Sequence, residues 1–66
     1  MNFSIEFERE NDGRWIAEIP QLPGVMVYGA TRDEARSRVE ALALRVLADQ
    51  IEDSALQVES ISFAAA

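Results

Sequence analysis

Phe3, Ile5 and Phe7 alternate with Ser4, Glu6 and Glu8 near the start of the chain. A period of two places the aromatic and aliphatic set on one face and the polar set on the other. Asn2 to Glu10 is therefore predicted as a half-buried strand with a polar outer face. Asn11-Asp12-Gly13 follows, and all three residues tolerate the left-handed conformations that hairpin turns use. Alternation resumes from Arg14 to Ile19. Trp15, Ala17 and Ile19 then point to the core, and Ile16 and Glu18 point outward. Pro20 removes a ladder donor and ends this second strand.

The third strand is framed by a turn and a helix start. Pro23 presets φ at the second position of a turn, and Gly24 supplies the positive φ that a type II turn needs next. Val25 to Tyr28 is apolar and β-favouring, a strand directly after that turn. Its phase is open. If Val25 and Val27 face the helix, Met26 and Tyr28 face outward with Ile16; in the opposite phase Val25 and Val27 are outward. Gly29-Ala30 breaks the run. Thr31 stands three residues before Glu34, the spacing of a capping box: the Thr31 hydroxyl accepts from the Glu34 N–H, and the Glu34 carboxylate reaches back to the Thr31 N–H. Asp33 adds negative charge where the helix dipole favours it.

From Arg32 to about Gln50 the period changes to that of a helix. Ala35, Val39, Leu42, Ala43 and Val46 form a core stripe with Leu47 on its flank. Leu44 falls nearly opposite that stripe and has no place in a one-sided helix. Glu34 and Arg38 are positioned for an i, i+4 pair. Glu52-Asp53-Ser54-Ala55 reads as a polar connection, and Leu56 to Phe63 as the last strand. That strand's phase is inconsistent: Leu56 and Val58 point one way, Ile61 and Phe63 the other. A bulge near Glu59-Ser60 or burial of both faces would reconcile them. The Ala64-Ala65-Ala66 tail is expected to fray. Residues 1–66 thus form one α+β domain of order β-β-β-α-β, an antiparallel-type sheet with one helix packed on one face.

Composition narrows what this domain can do. At 66 residues, a single core rarely supplies more than ~3–5 kcal/mol, so oligomerisation is a natural supplement. Cys is absent, which excludes disulfides and thiolate metal sites, and His is absent, which removes the commonest general base and metal ligand. Twelve acids against six Arg, with no Lys, give a net charge of −6. That balance opposes nucleic-acid binding, in which phosphate neutralisation supplies much of the affinity. No apolar run approaches the ~20 residues of a membrane span. Met1 leads into an alternating strand and not into a basic, apolar leader, so a cytoplasmic protein is expected.

Candidate chemistry is sparse. Glu6 and Glu8 share a strand face, with Glu18 alongside, and Mg²⁺ sites use one or two carboxylates. Alternating Glu on an exposed strand is far more often a solvated face, so no metal or cofactor is expected. Ser and Thr have no His or Lys to activate them, and there is no Gly-rich phosphate loop, so an enzyme is not expected. Trp15 shares parity with core residues, and Tyr28 has no basic neighbours for base stacking. The remaining feature is apolar side chains on a bare sheet face, which usually marks a contact surface. Ile16, Met26, Tyr28 and Leu44 are the candidate homo-oligomer interface, most simply of a dimer. Glu6, Glu8 and Glu18 are the candidate surface for a basic partner.

Four ordered blocks carry a family resemblance. They are Phe3-x-Ile5-x-Phe7-Glu8, Asp12-Gly13-x-Trp15-x-Ala17, Pro20-x-Leu22-Pro23-Gly24 and Gly29-x-Thr31-x-x-Glu34-Ala35. In this order and spacing they resemble the HicB family of antitoxins, and the helix extends the likeness to about Leu47. Gly13, Trp15, Pro23, Gly24, Gly29, Thr31 and Glu34 are the scaffold residues of these blocks. The resemblance implies a partial ribonuclease H-like domain without a nuclease site. Such a domain binds and occludes a small basic HicA toxin, which cleaves mRNA with a His on a double-stranded-RNA-binding-like fold. Many members add a C-terminal helix-turn-helix or ribbon-helix-helix segment; the expectation here is a short form lacking it. The alternative function is a stand-alone oligomeric scaffold with a different partner.

Overall fold

Gly13 turns the chain back on itself between the first two strands. Its N–H donates to the Glu10 carbonyl at 3.0 Å, the Glu10 N–H donates to the Arg14 carbonyl at 2.7 Å, and its φ of 90° is one that L side chains rarely adopt. The hairpin uses one left-handed residue, with Asn11 and Asp12 at negative φ. A second bend follows. Leu22 N–H donates to Ile19 O and Val25 N–H to Leu22 O, each at 3.0 Å, with Gly24 at φ 84° as a type II turn after Pro23 requires. The computed structural model describes residues 1–65. Its elements are β1 (Asn2–Arg9), β2 (Trp15–Glu18), β3 (Met26–Gly29), α1 (Arg32–Ser54) and β4 (Ser62–Ala65).

The architecture is α+β in the order β-β-β-α-β, with the sheet ordered β3-β2-β1-β4. β1, β2 and β3 form an antiparallel meander, while β4 pairs with β1 in parallel, so the sheet is mixed. A parallel return needs a crossover, and α1 provides it. Phe3, Ile5, Ala17, Ile19, Leu22 and Val25 are buried against Ala35, Val39, Ala43 and Leu47 of the helix. Val27 and Trp15 are partly buried against the same core. The phase of β3 is thereby set, with Met26 and Tyr28 on the outer face. No helix among the described residues is long and apolar enough to cross a membrane.

Gly29 is the last residue of β3 and is buried, so the strand includes it instead of breaking before it. A Cβ there would lie 2.5 Å from the Ala35 nitrogen, which shows how closely the helix start approaches the strand. Thr31 caps the helix, its Oγ1 accepting from the Glu34 N–H at 3.1 Å. The reciprocal half of the expected capping box is replaced: Glu34 Oε1 pairs with Arg38 Nη2 at 2.8 Å.

Three expectations change toward the C-terminal side. Glu52, Asp53 and Ser54 are not a connection but the last turn of α1, which ends at Ala55 in the left-handed region (φ 51°, ψ 32°). The last strand is not Leu56 to Phe63 but Ser62–Ala65. Ala64 and Ala65 pair with Ser4 and Ile5 and do not fray; Ala66 lies outside the described residues. Lengths explain the shift. The 23 residues of α1 span about 34 Å at ~1.5 Å each, whereas the eight of β1 span about 26 Å at ~3.3 Å each. The helix therefore overshoots the sheet, its residues from Ala48 to Ser54 are exposed, and the segment from Leu56 to Ile61 carries the chain back. The inconsistent phase has a simple cause: Leu56 and Val58 lie outside the ladder, whereas Phe63 stacks on Phe3 with ring centroids 5.8 Å apart.

Candidate protein-interaction face

The outer face of the sheet is assembled by register. Glu8 opposes Ile16, and Ile16 opposes Tyr28; Glu6 opposes Glu18, and Glu18 opposes Met26. Two cross-strand rows result, each with its carboxylates toward β1 and its apolar end on β3. Met26 and Tyr28 remain 47% and 39% exposed. Thus Glu6, Glu8 and Glu18, expected to recruit a basic partner, share one surface with Ile16, Met26 and Tyr28, expected to join two copies. Leu44 does not belong to it. Leu44 stands on the helix, 47% exposed, away from the helix's sheet-facing stripe.

Electrostatically the face is one-sided. None of Glu6, Glu8 and Glu18 has an ion-pair partner among the described residues. Four of the arginines are engaged elsewhere. Arg36 pairs with Glu40 at 3.0 Å and Arg38 with Glu34, while Arg32 lies over the Phe7 ring at 4.0 Å and Arg9 lies 6.0 Å from the Trp15 ring. Arg14 alone reaches the outer face, its guanidinium 4.6 Å from the Tyr28 ring centre. It is held there by Asp12, whose Oδ2 accepts from Nε at 2.7 Å and whose Oδ1 accepts from the Arg14 N–H at 3.0 Å. The Arg14 backbone bond is the chief reason the Asp12 carboxyl sits below its ordinary pKa, with the guanidinium adding to it. Sequence reasoning missed Arg14 as a flank of Tyr28. Its parity with Ile16 and Glu18 was the available signal, since i and i+2 share a strand face.

The free edge of β3 is partly tied off. The Ile19 N–H donates to Val25 O at 3.1 Å, which makes the neighbouring Glu18–Met26 position a non-hydrogen-bonded pair and turns the Met26 backbone outward. Met26 N–H donates to Gly24 O at 3.2 Å, and Arg38 Nη1 donates to Tyr28 O at 3.0 Å. Among the described residues no cavity opens and no set of metal-ligating side chains converges. What the face offers is a shallow apolar patch beside three unneutralised carboxylates. No family model, curated protein or solved structure matches the chain.

Proposed function

We propose that this chain is a protein-binding module whose outer sheet face takes a small basic protein. One observation carries the reading: Glu6, Glu8 and Glu18 lie together beside Ile16, Met26 and Tyr28 with no ion-pair partner of their own among the described residues. An apolar patch gives such a contact its affinity, and complementary charge speeds encounter and excludes wrong partners. The four sequence blocks that resemble HicB antitoxins give the partner a more specific form, a HicA-like mRNA-cleaving toxin that the module neutralises in the cytoplasm. A second copy is a poorer occupant of the same face, because two such faces brought together would oppose their own carboxylates.

The test is co-expression with a small basic, His-containing protein encoded beside this gene. Growth arrest caused by that protein alone, rescued by this chain, is the expected result. Replacing Glu6, Glu8 and Glu18 together by Gln should slow association and flatten its salt dependence. Failure of the two proteins to form a complex at low salt would remove the reading. A complex whose association rate ignores the triple substitution would move the contact off this face.

A further inference from the structure

The helix carries a second apolar stripe that its own sheet does not use. Leu44, Ala48 and Ile51 follow the spacing i, i+4, i+7, with the capping Ala55 just beyond them, whereas the helix residues buried on the sheet are Ala35, Val39, Ala43 and Leu47. At 3.6 residues per turn the two stripes lie roughly 130° apart around the helix. Leu44 is 47% and Ile51 36% exposed, and Ala48 is exposed between them. The stripe continues onto the overhang past the sheet, where no strand among the described residues lies beneath it. Small residues between two larger ones let a second helix approach closely.

Charge selects the occupant. Arg45 is the one arginine with neither an ion pair nor an aromatic ring against it among the described residues. Glu52 likewise has no ion-pair partner there. Both lie on the same flank of the stripe, on opposite sides of Ala48. We infer that this stripe joins two copies of the chain through an antiparallel helix pair crossing at Ala48. In that arrangement Leu44 of each copy lies against Ile51 of the other, and Arg45 of each lies beside Glu52 of the other. Two-fold symmetry makes every contact twice. In a parallel pair the Arg45–Glu52 flanks of the two copies would lie on opposite sides of the seam and this complementarity would be lost, so the charges fix direction as flanking charges do in coiled coils. The pairing leaves the acidic sheet face free and does not depend on what that face binds.

Sedimentation of the whole chain over roughly 10–500 µM, a range spanning weak to moderate dimers, at physiological salt gives the test. The wild type is expected to show a monomer–dimer equilibrium, and Leu44→Asp should make it monomeric. Arg45→Glu and Glu52→Arg should each weaken the dimer about tenfold, a loss on the scale of two exposed pairs turned repulsive. The double variant R45E/E52R should regain most of the loss. These side chains are exposed, so circular dichroism of each variant should match the wild type. Met26→Asp should leave the dimer intact. A wild type that stays monomeric throughout overturns the inference. So does a double reversal no tighter than either single one, or a dimer lost in Met26→Asp and retained in Leu44→Asp.

Discussion

Glu6 and Glu18 oppose each other across the β1–β2 ladder on the exposed side of the sheet, and no ion-pair partner stands against either among the described residues. Like charges directly opposite destabilise a strand pair. Glu18→Gln should therefore stabilise the isolated chain, by up to ~1 kcal/mol at low ionic strength. Urea denaturation at low and high salt checks this, with the gain shrinking as salt is added. A variant less stable than wild type at low salt would mean that Glu18 has a favourable role in the fold. The same substitution should slow binding of a basic partner, so stability and recognition would move in opposite directions.

Gly29 and Ala35 set how closely α1 can start against β3. A methyl group at residue 29 would meet the Ala35 nitrogen at 2.5 Å and its Cα at 2.8 Å, both backbone atoms with little room to give. Gly29→Ala is expected to cost ~1–3 kcal/mol, the range for overpacking. In a domain this small that lowers the melting temperature by several degrees or more. A melt within one degree of wild type would show that the helix start shifts freely.

Ala55 ends the helix in the left-handed region at φ 51°, a conformation that costs a residue with a Cβ about 1–2 kcal/mol. Glycine is the usual occupant of that position. Ala55→Gly should raise stability by up to ~1 kcal/mol after the added freedom of the unfolded chain is subtracted. Thermal denaturation reads it directly, and a fall in melting temperature would show that the Ala55 methyl has contacts worth more than its strain.

Asp12 gives the hairpin an acid-sensitive support. Its folded pKa is lowered by the Arg14 N–H and guanidinium, so the unfolded chain takes up a proton at higher pH than the folded one. The contribution is complete above the ordinary carboxylate pKa of about 4 and is lost as pH falls through the lower folded value. Asp12→Asn should be less stable than wild type by a constant margin above about pH 4, and the gap should close in stronger acid. A gap that widens on acidification would reverse the assigned sign.

The elements best predicted are those in which two independent signals agree. Alternation and the Asn-Asp-Gly turn both mark the β1–β2 hairpin. Pro23-Gly24 and Thr31 bracket β3, although the sequence left its phase open until packing of Val25 and Val27 decided it. The helix end was misplaced because the ordinary stop signals are absent or contradictory. Its last turn carries no basic residue and ends without Gly, while Glu52, Asp53 and Ser54 look like a loop. Exposed residues beyond the sheet need no core stripe, so periodicity is silent there. β4 was misplaced because Leu56 and Val58 have strong strand propensity but no ladder to join, whereas Ala64 and Ala65 have weak propensity and a ready partner in Ser4 and Ile5. The same limit applied to the candidate surface. Sequence parity identified each outward residue, but only the register shows that Glu18 and Met26 share one row and Glu8, Ile16 and Tyr28 the other.

The parallel β1–β4 seam ties together residues that leave the ribosome at opposite times. Ser62 N–H donates to Met1 O at 2.9 Å, and the Ser62 hydroxyl donates to Asn2 Oδ1 at 2.6 Å across 60 positions of sequence. The meander and the first turns of α1 can assemble during synthesis, since their contacts are local. β1 must meanwhile wait with one side of its backbone unsatisfied until residues 62–65 emerge. For that interval the nascent chain presents an open strand bearing Phe3 and Ile5, the kind of edge that recruits other chains. Closing the seam is a late, long-loop event, and the speed of translation through the helix and return segment sets how long that edge stays open.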